Sequence, residues 1–157
     1  MGLYHMDFKD SPAIQKVAAI GPQGSNPTYW PIPQSPGMAH SMHTEAKAFS
    51  DFAIMLLEEE GLSADTYQEM VRIHTESNSA YWDNPDYREG AGLGVHVRES
   101  PFGNVIGHGG NNGDFKCLFE VYQDLDAGYV VFTNSSMGDQ LAGDLSRFLV
   151  EGRQYHD

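Results

Sequence analysis

The segment Gly107-His108-Gly109-Gly110-Asn111-Asn112-Gly113 concentrates the chain's capacity for chemistry. An imidazole can donate, accept or carry charge near neutral pH. The glycines around it carry no Cβ, so a ligand can approach the backbone closely. Taken alone, the segment has a simpler reading, because Asn112-Gly113 is a hairpin-turn signal. A phosphate cradle would need a Lys-Ser or Lys-Thr pair and a following helix, and neither follows here.

Other reactive residues are scattered. His40 and His43 stand three apart, a spacing that would suit a metal on a helix, but no Cys, His or Glu pattern accompanies them beyond Glu45. They read as structural or solvent-facing histidines, and no metal site and no cofactor are expected. Cys117 alternates with apolar residues and reads as core rather than nucleophile. Glu58-Glu59-Glu60 reads as a solvated helix end, and Asn134 as a turn-former. Tyr29, Trp30, Tyr81 and Trp82 either line a cleft or pack loops. No serine has Lys three positions on, no tyrosine begins Tyr-x-Asn or Tyr-x-Ser, and Gly-x-Ser-x-Gly is absent.

Composition narrows the partners. The chain has 157 residues, 40% of them hydrophobic, enough to bury a core. Twenty-two acidic residues against 9 basic ones give a net charge of −13. The Lys and Arg residues are scattered singly, which excludes a nucleic-acid interface built on clustered cations. One cysteine cannot form an intrachain disulfide. No apolar run approaches the roughly 20 residues of a membrane span. Met1 to Asp10 lack the basic and apolar regions of a secretory signal, so the compartment stays unassigned.

These residues need elements to hold them, and the pattern predicts one partial domain over 1–157. Six prolines in 1–43 point to an extended covering segment. A helical pair is expected over 44–75. Phe49, Phe52, Ala53, Leu56 and Leu57 share one face of the first helix, with Thr44 as N-cap and Gly61 as its end. Ser63 caps the second helix, with Tyr67, Met70, Val71 and His74 along one face. Residues 75–90 read as loop. Antiparallel strands are expected over 91–134: Leu93–Arg98, with Val95 and Val97 opposite His96 and Arg98; Asn104–Gly109; Phe115–Tyr122; and Tyr129–Thr133. Ser100-Pro101-Phe102-Gly103 and Asp124 to Gly128 supply turns. A helix over 138–150 carries Leu141, Ala142, Leu145, Phe148 and Leu149. The fold class is α+β, with an antiparallel sheet of three to four strands, a C-terminal helix and a helical pair.

In this order the landmarks resemble the distal half of the serine β-lactamase-like, penicillin-binding-protein-like hydrolases (class C β-lactamase, esterase and D-aminopeptidase type). Met1-Gly2-Leu3-Tyr4-His5-Met6-Asp7-Phe8 is similar to the family's L-G-M-x-x-T-x-F segment, with Met6 where Thr is usual. Pro36 to Ala46 resembles its A-G-G-L-x-S-T-A-x-D-L stretch, Leu62 to Met70 its L-S-x-x-T-x-x-x-M helix, and Gly92-Leu93-Gly94-Val95 its Y-G-L-G-W strand. Gly107 to Phe115 resembles the third motif, K-T-G in the lactamases and H-x-G in peptidase and esterase branches. Gly128 to Asn134 resembles the G-x-x-V-V-x-L-T-N strand that follows.

The resemblance implies roles by position. His108 would face substrate, Gly109 and Gly110 would shape the cleft wall, and Asn111 would give a backbone N–H to the oxyanion. It implies a substrate with an amide or ester bond: a D-peptide, an ester or a β-lactam, with His108 favouring the first two. The nucleophile Ser-x-x-Lys and the Tyr-x-Asn motif would precede this segment, so the chain reads as beginning just past them and as inactive alone. Its expected partners are the N-terminal half of the parent hydrolase or a second copy of itself. Association would run through an open strand edge or a bared sheet face around Val95, Val97 and Phe115–Val121. The alternative is a stand-alone, non-catalytic module that binds a ligand or partner. The family is often periplasmic or secreted.

Overall fold

The computed structural model of the protein describes residues 6–8, 11–19, 36–77 and 88–154. Tyr29, Trp30, Tyr81, Trp82, Met1 to His5 and most of the proline-rich stretch lie outside them. The elements run α1 (Pro12–Val17), α2 (Ala46–Leu57), α3 (Ala64–Val71), β1 (Thr75–Glu76), β2 (Glu89–Ala91), β3 (His96–Ser100), β4 (Gly103–Asn112), β5 (Phe115–Tyr122), β6 (Ala127–Thr133) and α4 (Gly138–Gln154). A 3₁₀ turn, Gln123–Leu125, separates β5 from β6. The class is α+β as expected, but the antiparallel sheet has six strands in chain order rather than three or four.

The two added strands come from 75–90, read from sequence as loop. Thr75 pairs with Ala91 and Glu76 with Gly90, and β2 in turn pairs with β3 through Glu89 and Arg98. Neither short strand has apolar alternation, so periodicity could not reveal it. Arg88 ties the region together, donating to Glu76 at 2.9 Å and to Glu99 at 2.8 Å.

The helix ends differ from expectation in instructive ways. Ser63 caps α3 as expected, accepting from the Thr66 N–H at 3.3 Å. The helix stops at Val71, however, so His74 lies beyond it and donates its backbone N–H to Ala91. Helix α2 begins at Ala46, one residue later than a Thr44 cap requires, and the Glu45 carbonyl accepts its first turn from Phe49. It closes at Glu59 rather than Gly61. Glu59 takes a left-handed φ of 55°, the Glu60 N–H bonds to the Met55 carbonyl, and the Glu59 N–H bonds to that of Leu56. That is the Schellman pattern, built on a glutamate. The proline-rich segment is not wholly extended: Pro12 opens α1, with Ser11 as its N-cap.

The chain divides into two compact units. One comprises Ser50–His108 and Phe119–Val130, and it holds most of the buried apolar residues. Val95, Val97, Phe119 and Val121 are all buried, which corrects the expectation of a bared sheet face there. The Tyr67 hydroxyl donates to the Leu56 carbonyl at 2.6 Å, joining α3 to the last turn of α2. Arg98, expected on a solvent face, is buried and lies 3.7 Å from the buried Glu120 carboxylate. Glu120 also accepts from the Tyr122 hydroxyl at 2.6 Å and the Tyr129 hydroxyl at 2.9 Å.

The other unit comprises Met1–Phe49, Gly109–Leu118 and Val131–Asp157. Here Asp7 and His43 exchange two backbone hydrogen bonds. Helix α4 presents Gly138, Ala142 and Ser146, small residues at i, i+4 and i+8, as its buried line. A Cβ on Gly138 would strike Thr133 and Lys116, and Asp139 sits 3.4 Å from the Lys116 ammonium. The larger residues expected to be buried on α4 face out instead: Leu141, Phe148 and Leu149 are exposed, as is Met137 just before the helix. No helix among the described residues is long and apolar enough to cross a membrane.

Candidate functional site

The hairpin between β3 and β4 sets the position of the motif. Pro101-Phe102 form its two-residue loop, and Gly103 follows at a φ of 78° that favours glycine. The register then pairs His96 with Gly107, Val97 with Ile106 and Arg98 with Val105. Val105, Ile106 and Gly107 are buried in succession. At His108 the strand emerges: His108, Gly109 and Asn111 are exposed and Gly110 is half-buried. The expected strand ended at Gly109, whereas β4 continues to Asn112.

The turn signal in this segment is also genuine, displaced by one residue. The loop between β4 and β5 is Gly113-Asp114, with Gly113 at a φ of 67°, the sign a type II′ turn requires at its first position. Asn112 is the last residue of β4. The Asn111 side-chain oxygen accepts the Gly113 N–H at 3.2 Å, and the Asn112 amide donates to the His40 carbonyl at 3.4 Å. Gly109 and Gly110 are therefore extended strand positions short of the hairpin tip.

The strand glycines divide by cause. A Cβ on Gly107 would collide with the Phe119 carbonyl oxygen, and one on Gly110 would stand 2.7 Å from the Cys117 sulfur. Gly109 differs. A Cβ there would make ordinary contacts, at 3.6 Å to the Cys117 oxygen and 3.7 Å to Leu118, and its φ is not positive. Among the described strand glycines it alone has neither a steric nor a conformational reason to be glycine.

His96 and His108, twelve apart in sequence, meet on neighbouring strands with ring centroids 5.2 Å apart and planes tilted by 41°. Both are exposed. Sequence reading placed His96 on the polar side of its strand but missed this contact. A two-residue loop at Pro101-Phe102 pairs 96 with 107, and strict alternation would then put His108 on the other face, so strand pairing alone does not predict the contact. Cys117 is half-buried, and burial pushes its thiol above the usual range, which suits a packing role. His40 lies in a turn and His43 in the bridge to Asp7, so the two do not share a helix face. Among the described residues, no group of three or more His, Cys, Asp or Glu side chains is placed to hold a metal ion.

Comparison with known proteins puts this arrangement in context. The octameric penicillin-binding protein homologue from Pyrococcus abyssi has a similar fold, with a TM-score of 0.71 at 17% identity. The similarity covers 96% of this chain and 35% of that one, so the chain spans about a third of that protein's length. No match was found among curated proteins. A family model described as Beta-lactamase matches residues 1–153, nearly the whole sequence. With its antiparallel sheet and His-Gly-Gly strand, the chain belongs to the Beta-lactamase family, within the serine β-lactamase and penicillin-binding-protein-like superfamily.

Proposed function

We propose that this chain is the C-terminal part of a serine hydrolase acting on amide or ester bonds, and that it supplies one wall of the active site. In this reading His108 faces substrate, Gly109 and Gly110 let the substrate backbone approach, and the Asn111 N–H helps stabilise the oxyanion. The observation that carries it is Gly109, an exposed strand glycine that no contact among the described residues requires. A ligand lying against the strand gives that glycine a reason. A histidine at the head of the motif favours a D-peptide or an ester over a β-lactam.

The sequence contains no Ser-x-x-Lys and no Tyr-x-Asn, so the chain is inactive alone and needs a partner segment that carries them. Met137, Leu141 and Phe148, exposed at and before α4, offer that segment an apolar surface; without it, this stripe drives self-association. Complementation tests the proposal. The chain is expressed with, or fused behind, an N-terminal half of a family hydrolase bearing both motifs. Ester or D-peptide hydrolysis is expected, and His108→Ala is expected to lower kcat/KM by about tenfold to a thousandfold, the scale of a lost site donor. Hydrolysis indifferent to His108 would contradict the assignment.

A further inference from the structure

We propose that His96 and His108 together form a binding site for a borderline divalent cation, such as zinc or copper. A zinc–imidazole bond of about 2.0–2.1 Å places the ring centroid about 3.2 Å from the ion, so two rings at a tetrahedral angle have centroids about 5.2 Å apart. The separation of the two rings is 5.2 Å. Their 41° tilt is not a face-to-face stack, and both imidazoles are exposed, so an ion can reach them without displacing core. The rings meet where β3 begins: His96 is its first residue and lies opposite Gly107, which adds no side chain of its own. An ion seated between the two rings would take one nitrogen from each.

The site has two protein ligands, since among the described residues no third His, Cys, Asp or Glu side chain completes a cluster. Water, or a group on a bound molecule, fills the remaining positions, so the ion exchanges readily. Affinity should follow the order for imidazole ligands, copper above zinc. Binding at this pair stands without the hydrolase reading. Only its consequence rests on that reading: a bound ion would occupy the imidazole assigned to substrate and act as an inhibitor.

Isothermal titration of the purified chain with zinc chloride, and separately with copper chloride, tests the site. Saturable uptake at one site is expected, tighter for copper, and weakened by about tenfold or more in both His96→Asn and His108→Asn, each having lost one of two protein ligands. His40→Asn is expected to bind as the wild type. Far-UV circular dichroism checks that each variant keeps its fold; should either unfold, His96→Gln or His108→Gln takes its place. Uptake unchanged in the His96 variants, uptake lost in His40→Asn, or no uptake at millimolar ion would each overturn the proposal.

Discussion

Gly110 and Cys117 face each other across β4 and β5 so closely that a methyl group on Gly110 would lie 2.7 Å from the Cys117 sulfur. One residue earlier, Gly109 has room for that methyl group. The two glycines of the motif are thus glycine for different reasons, and substitution separates them. Gly110→Ala should destabilise the chain by about 1–3 kcal/mol, the usual cost of overpacking. Gly109→Ala should change stability by less than about 0.5 kcal/mol, as is usual for a surface site. Adding Cys117→Ala to Gly110→Ala should recover part of the loss, because the two residues share one contact. Urea denaturation of the three variants beside the wild type measures all of this.

Tyr67 gives a pH-dependent prediction. Its phenol is pushed up to about 12, first by burial and second by the negative charge of Glu59. A tyrosine whose folded pKa lies above its unfolded value of about 10 binds its proton more tightly in the folded state. The stability it contributes is complete below pH about 10 and is lost as pH rises toward 12. Stability measured between pH 9 and about 12 should fall in the wild type and fall less steeply in Tyr67→Phe. At neutral pH, Tyr67→Phe should cost about 1 kcal/mol through loss of the hydrogen bond to the Leu56 carbonyl.

The ion pair between Arg98 and Glu120 is buried on both sides, which makes one-sided substitution the damaging kind. Glu120→Ala should cost about 3–5 kcal/mol, because it takes a carboxylate from the buried Arg98 guanidinium and the acceptor from Tyr122 and Tyr129. The double change Arg98→Met with Glu120→Leu should cost less than Glu120→Ala alone, since it leaves no buried charge. A thermal melt of the two variants side by side decides it.

What could be read from the sequence depended on whether an element announces itself by period. Ala53, Leu56, Tyr67 and Val71 follow helical spacing, and all four are buried. β1 and β2 have no apolar pattern and are held by backbone pairing and Arg88, so nothing in their composition marks them as strands. Arg98 was misplaced because strict alternation assigns a cation to solvent and does not see its pairing with the distant Glu120. The strand carrying His108 was expected over Asn104–Gly109, its glycines alone having a simpler reading as a turn, and the meeting of its ring with His96 follows from no periodicity. Helix α4 was read in its place, but its buried face was misjudged. Its large apolar residues drew the prediction, whereas Gly138, Ala142 and Ser146 make the close packing.

The central claim is that this chain carries a wall of a serine hydrolase site without the nucleophile, and covalent labelling tests it most directly. The purified chain is incubated with a labelled fluorophosphonate and, separately, with a labelled penicillin, then weighed intact by mass spectrometry. The account predicts no adduct with either reagent, because no serine in the sequence has a lysine three positions on to activate it. One adduct per chain on a single serine, lost when the chain is denatured before labelling, would contradict it.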